Sequence, residues 1–364
     1  MDTAALGEKL RTGPAEQCSA CIGLDGFVDR ILRVVDVRYG PDDYRVIRTL
    51  AEYGQRLVDA AGMSLNIELV PEKSQLGGNG PIMAYALARL GGKVSCIGAF
   101  GLPEPAAAFE KLCAAAQVYS VAEHADTDAY EFEDGKIIAS VLDPLNALDW
   151  EEMCAHLPAE KLRLLLEEAK VIALNNWTMI PHMTEIWIKL QQEVLPKLPG
   201  TDRLFFIDLA DPFKRTAADL KQALLTLGGF RPFGNVLLSC NKREALQIAA
   251  ALGLESADRK LDELACAIRE TLGLWCVSIH TLHGAHAGTA EGAVTAPGFY
   301  VERPKISIGG GDHFNAGLVF GLSKGLPLPE ALVAASAVSG IYVRSGHSPD
   351  LDELCAFLLN NQGY

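Results

Sequence analysis

The sequence predicts an α/β fold: a central, mostly parallel sheet with helices on both faces and a small β lid beside it. Three observations lead there. Short apolar strands alternate with helical patterns along most of the chain. Glycine-rich turns stand directly ahead of two of the helices. Two stretches, near 64–71 and 118–141, alternate polar and apolar residues and suit a half-exposed sheet better than a buried core.

The elements follow in order. "SACIGLDGFVDRIL" reads as a strand with its exit turn, and residues 41–61 as a helix with Leu50, Leu57 and Val58 on one side. "SLNIELV" alternates as a half-exposed strand does. "GGNGPIMAYALARLGG" is a glycine turn, a helix and a glycine stop, followed by the buried strand "KVSCIGAFG" and the helix "PAAAFEKLCAAA". "VYSVAEHADTDAYEFEDGKIIASV" carries an Asp134–Gly135 turn that predicts a hairpin. A helix near 149–168, the strand "KVIALNNW", a helix near 181–194 and the strand "RLFFIDLAD" come next. "NVLLSCN", helices at 242–252 and 260–272, and the strand "LWCVSIHT" continue the alternation. "GAVTAPGFYV", a glycine motif with its helix, and two further helices complete the chain. Residues 1–364 are expected to form a single domain, with lid segments near 30–75 and 118–141.

Composition narrows the function. The 364 residues are 49% hydrophobic and 21% charged, enough apolar material for a sizeable core. A formal net charge of −14 argues against nucleic acid or an anionic membrane surface as the main partner. Nine scattered cysteines fit a reducing compartment, and the lone C-x-x-C of Cys18 and Cys21 has no second pair with which to build a zinc site. No signal-peptide core and no long apolar run is present, so a cytoplasmic protein is expected.

The chemistry concentrates in "ISIGGGDHFNAG", Ile306 to Gly317. A glycine turn ahead of a helix leaves backbone N–H groups pointing forward, and with the helix dipole they make an anion hole. Gly309, Gly310 and Gly311 let a phosphate approach the backbone, and Asp312 follows at once. A carboxylate there can take a proton from a hydroxyl, which suits phosphoryl transfer to an alcohol. The plainer alternative is a tight turn with Asp312 as a helix cap.

This stretch, together with "LGGNGPIMAYALARLGGKVSCIGAFG", resembles the two signatures of the ribokinase-like (PfkB) carbohydrate kinase family. The second signature matches at Gly309, Gly311, Asp312, Phe314 and Gly317, with Ser307 in place of threonine. The resemblance covers nearly the whole chain. It implies a ribokinase-like fold with a lid, and ATP- and magnesium-dependent phosphorylation of a sugar, nucleoside or related small alcohol. The half-apolar face of the lid segments needs covering, and a homodimer through the lid is the expected solution. Asp312 would be the base and Gly309–Gly311 the anion hole. The acceptor would meet Gly77, Gly78 and Asn79, with Asp25 or Asp29 gripping its hydroxyls. Asn241 and Glu244 match an N-x-x-E motif whose glutamate organises water around magnesium, and the same pair reads as a capping box. Thr281, Gly284 and His347 are carried over to the nucleotide. Two positions depart from the pattern. Ile306 replaces an acid that helps hold a monovalent cation in many members, so that cation is not carried over. Ile82 replaces a sugar-binding asparagine, and Asn79 stands three residues earlier.

Other residues admit two readings. His280, His283 and His286 are spaced for a zinc site or simply line a strand and turn. Trp177 stacks on a ligand or plugs the core, and Asp208 and Asp211 line the phosphate side or pair with Lys214 and Arg215. Two other functions fit parts of the pattern: a sugar- or nucleotide-sensing protein on the same fold, and a dinucleotide oxidoreductase. "GGNG" lacks the spacing that the oxidoreductase needs.

Overall fold

The computed structural model describes residues 2–13 and 18–361. In chain order its strands begin with β1 (Ser19–Gly23), β2 (Phe27–Arg38), β3 (Tyr44–Val46), β4 (Leu69–Gly77), β5 (Lys93–Ala99), β6 (Gln117–Ala122) and β7 (Ala125–Phe132). They continue with β8 (Gly135–Val141), β9 (Val171–Asn175), β10 (Arg203–Asp208), β11 (Gly234–Asn241), β12 (Cys276–His280), β13 (Gly284–Thr289) and β14 (Gly292–Pro297). Among the described residues, the central sheet runs β14-β13-β12-β11-β10-β9-β1-β5-β6. It is parallel from β12 to β6, and β13 and β14 fold back as an antiparallel edge. The inner strands are buried on both faces, as the near-continuous apolar runs "CIG", "VIAL" and "VLLSC" require.

Helices cover the two faces and enclose two separate apolar clusters. One is centred on Trp177, Trp187, Phe205 and Phe230, the other on Met83, Phe206, Phe320 and Leu332. Cys18 and Cys21 fall into different clusters, on opposite sides of the strand, so they cannot share a metal.

The second sheet is the lid, ordered β3-β2-β7-β8 with β4 on β2. Its boundaries differ from those read in the sequence. β6 pairs in parallel with β5 and closes the edge of the central sheet, so the lid hairpin begins at Ala125 rather than near 118. "SLNIELV" becomes strand only from Leu69, and that strand runs on to Gly77. After Gly26 the chain does not turn away: it continues as the long lid strand β2.

The helix expected over 41–61 spans only Leu50–Asp59, because a Thr49–Glu52 capping box fixes its start. Leu57 and Val58 are exposed. Tyr53 packs with Val34, Ile47 and Phe132 into a small core of the second sheet, and of the three expected residues Leu50 packs against it. The expected 149–168 helix is broken into Trp150–His156 and Ala159–Glu168 by Pro158, which cannot donate to the ladder.

Candidate active site

The carboxyl ends of β1, β9, β10, β11 and β12 converge on one crevice, where parallel α/β sheets commonly place ligands. Asp25 sits just past β1 and is fully buried. Its carboxylate accepts from the backbone N–H of Asn79 at 2.8 Å, from that of Gly80 at 2.8 Å and from the Asn176 amide at 2.7 Å. The glycines permit this approach. A Cβ at Gly78 or Gly80 would lie 2.8 Å from an Asp25 oxygen, and one at Gly77 would lie 2.3 Å from Asp29 Oδ1.

Asp29 lies on β2, beside Thr127 of β7 in register. Burial pushes the carboxyls of Asp25 and Asp29 up to about 6. The structure therefore gives the two acids different places. Asp25 anchors the glycine turn at Asn79 and Gly80, and Asp29 lies on β2 of the second sheet.

Gly309 is the N-cap of the helix Gly310–Ser323, with φ 84°. The positive φ sits there and not at Gly310. The Gly309 carbonyl accepts from His313 Nδ1 at 2.7 Å, and the His313 ring stacks on Tyr342 with centroids 3.6 Å apart. Tyr342 in turn donates to the Ile308 carbonyl at 3.0 Å, so the turn is braced on both sides. The N–H groups of Gly310 and His313 are taken by the carbonyls of Ser307 and Gly309. Those of Gly311 and Asp312 make no backbone hydrogen bond, as the first N–H groups of a helix do not.

Alanine at Gly309 would force an L residue into the left-handed region, with its Cβ 3.0 Å from the Tyr342 hydroxyl. We expect Gly309→Ala to cost about 1–2 kcal/mol in urea unfolding and to weaken nucleotide binding. An unchanged unfolding midpoint would show that the turn relaxes freely.

Asp312 is buried in the first turn, and its Oδ1 accepts from the Asn79 side-chain amide at 2.9 Å. This contact joins the two glycine motifs, 233 residues apart in the chain. Asp208, at the end of β10, accepts from Asn315 at 2.6 Å and from the Ala210 N–H at 2.7 Å. Glu244 forms the reciprocal capping box with Asn241. Burial, reinforced by the charge of Asp208, pushes Glu244 up to about 8 and holds Asp312 well above the usual carboxylate range. Asn241 and Glu244 thus form the cap read in the sequence, and of the two Asn241 lines the cleft beside the glycine turn.

Beside the glycine turn lies a cleft of about 620 Å³. Gly310, Gly311, Asn241 and Thr281 line it, with Phe299, Tyr300 and Val343 as apolar walls and Lys242 and Arg243 at one side. Thr281 spends its hydroxyl on the β12–β13 turn, donating to the Gly284 carbonyl at 2.9 Å. Gly284 is buried where a Cβ would meet the Ala296 carbonyl at 2.5 Å, so its need for glycine is structural. His347 is not among the residues lining this cleft. It is exposed and bonds Glu353 at 2.9 Å.

The three histidines of "HTLHGAH" part company. His280 stacks on Phe314, His283 stacks on Tyr300, and His286 faces Thr295. Among the described residues no group of three or more His, Cys, Asp or Glu is placed to hold a metal ion directly. Trp177 is fully buried, donates to Thr184 at 2.8 Å and carries Arg215 over its ring, so it is a core plug. Asp211 caps a short turn, and Arg215 pairs with Asp219. Sequence reading missed Asn176, Asn315 and Tyr342, because nothing local marks an amide or phenol that is recruited across the fold.

Comparison with known proteins identifies the fold and the family. The profile of a family described as prokaryotic ketohexokinase matches residues 7–361. A ketohexokinase from Haloferax volcanii is 28% identical over 339 residues, covering 92% of this chain and 89% of its own. The structure of a Xylella fastidiosa fructokinase with bound ATP superposes with a TM-score of 0.65 at 14% identity, covering 94% of this chain and 99% of that one. An Arabidopsis thaliana ribokinase complexed with ribose and ATP gives 0.65 at 14% identity, over 93% and 98%. The two structural likenesses establish the fold, and the profile match over nearly the whole length establishes the family. The chain is a carbohydrate kinase that belongs to the prokaryotic ketohexokinase family.

Proposed function

We propose that this kinase transfers the γ-phosphoryl group of ATP to a hydroxyl of a ketohexose, with Asp312 as general base. The observation that carries the reading is the Asn79–Asp312 hydrogen bond of 2.9 Å. It sets a carboxylate between the acceptor side, organised by Asp25, and the free N–H groups of Gly311 and Asp312. Base and anion hole therefore meet at one point, as in-line phosphoryl transfer needs. The acceptor class is supported by the family and by the ketohexokinase relative.

The cleft's size and mixed lining suit a nucleoside triphosphate. Asp208 at the end of β10 and Glu244 in the first turn of the helix after β11 are too dispersed to cage an ion but suit a magnesium held through water and phosphate oxygens. Magnesium, when bound, supplies positive charge that neutralises the phosphates and the buried acids beside them. Within the chain, Asp312 takes the hydroxyl proton, Asn79 fixes its orientation, and the N–H groups of Gly311 and Asp312 receive the charge that develops on the phosphoryl oxygens.

ADP release with magnesium and a panel of ketohexoses, aldohexoses, pentoses and nucleosides tests this. Fructose or another ketohexose should give the highest kcat/KM. A nucleoside giving the highest value would replace the acceptor class. ATP binding without turnover on any member of the panel would favour a sensing protein.

A further inference from the structure

His280 ends β12, level in register with Asn241 of the neighbouring strand, and lines the cleft beside the glycine turn. Its ring stacks on Phe314, two residues beyond Asp312, with centroids 4.9 Å apart and planes 29° from parallel. Nε2 faces the first turn of the Gly310–Ser323 helix: a Cβ at Gly311 would lie 3.3 Å from it. Nδ1 is sealed from solvent and has no hydrogen-bond partner.

These contacts fix the protonation of the ring. Burial pushes His280 down to about 4, so the imidazole is neutral and carries one proton. A proton on Nδ1 would be an orphaned buried donor, whereas a bare lone pair there costs less. The lack of any acceptor at Nδ1 thus puts the proton on Nε2. Nε2 lies against Gly311, and both residues line the cleft.

We infer that His280 is a further side-chain donor of the anion hole, its Nε2–H bonding a phosphate oxygen of the bound nucleotide. The inference rests on the ATP reading of the cleft. A neutral donor suits the place, since it adds a hydrogen bond to the phosphate without forming an ion pair with the buried acids that must stay available. The stack on Phe314 supplies the positioning, because it fixes the ring plane from the same helix that carries Asp312.

Three variants separate the donor from the ring. His280→Phe keeps the stack and loses the donor. His280→Gln places an amide N–H close to the Nε2 position, and His280→Asn is polar but too short to reach it. Steady-state kinetics in both substrates, ATP binding by calorimetry and thermal melts are measured on each. Loss of a hydrogen bond to a charged phosphate should lower kcat/KM for ATP by roughly 10- to 100-fold in the Phe and Asn variants. The Gln variant should recover to within about 5-fold of wild type on the same scale, and the acceptor KM should stay unchanged in all three. Equal losses in Phe, Gln and Asn would make His280 a packing residue and overturn the inference. So would a wild-type kcat/KM for ATP in both folded variants that lack the donor. If the wild type itself bound no ATP, the nucleotide reading would fall and this inference with it. If the wild type bound ATP and the Phe variant bound and used it equally well, this inference alone would fall.

Discussion

Asp312→Asn is expected to lower kcat by about 10²–10⁴ while leaving ATP affinity within a few-fold of wild type. Asparagine keeps the shape and can still accept from Asn79 through its Oδ1, so the helix start and the link to the acceptor side survive. It cannot take the proton of the attacking hydroxyl. The pH dependence follows from the environment of the acid. Burial first, and the charge of Asp208 second, hold the Asp312 carboxyl well above its ordinary range, while Asn79 pulls it back. Turnover in the wild type should therefore rise with pH as this group ionises, and the Asn variant should lose that limb of the profile. Wild-type kcat in the variant would show that Asp312 is only a cap.

The same burial has a stability consequence of opposite sign. Asp25, Asp29, Asp208, Glu244 and Asp312 all bind protons more tightly folded than unfolded. The stability they contribute is fully present below the unfolded carboxylate pKa of about 4. It is lost as pH rises through the folded values, about 6 for Asp25 and Asp29 and about 8 for Glu244. Without nucleotide and magnesium, the wild type should melt at a lower temperature at pH 8 than at pH 6. Asp312→Asn, with one buried acid fewer, should narrow that gap. An inactive variant more stable than its parent at pH 8 is the signature of an acid kept for chemistry rather than for folding.

Much of this site was legible in the sequence, because its parts have local signatures. A glycine turn before a helix marks a candidate anion site, and N-x-x-E marks a cap; both are set by backbone geometry within a few residues. The carboxyl ends of the central strands were legible too, since apolar runs alternating with helices force parallel order. The lid was harder. β6 and β7 lie in one continuous alternating stretch, and only the pairing of Gln117–Ala122 with β5 separates sheet edge from lid. Alternation reports that one face is covered, not what covers it. The assignment of Thr281, Gly284 and His347 to the nucleotide met the same limit. Thr281 does reach the cleft wall, but its hydroxyl closes a turn, Gly284 is needed for close strand packing, and His347 bonds Glu353 at the surface. The contact that makes the site, Asn79 to Asp312, joins residues whose proximity depends on the whole fold.

Asp25→Ala should reduce kcat/KM for the acceptor by about 10²-fold or more, with ATP affinity nearly unchanged. Asp25 need not touch the acceptor for this to hold. Its carboxylate is the acceptor for the N–H groups of Asn79 and Gly80 and for the amide of Asn176, all in a buried place. Removing it leaves those donors unpaired at roughly 1–3 kcal/mol each, partly offset by relief of a desolvated charge. Net stability should fall modestly, whereas the glycine turn loses its anchor outright. Asn79 then no longer holds Asp312 in line, and a displacement near 1 Å at the reacting oxygen is enough for the expected loss. Asp25→Asn discriminates between anchoring and bulk. Its one oxygen can serve the Asn79 and Asn176 side but turns an NH₂ toward the Gly80 N–H, so its kcat/KM should fall between wild type and the alanine variant. Calorimetry with ATP should separate this acceptor-side damage from damage to the nucleotide cleft. An alanine variant that keeps wild-type kcat/KM for the acceptor would reduce Asp25 to packing and return the acceptor-gripping role to Asp29 on the lid.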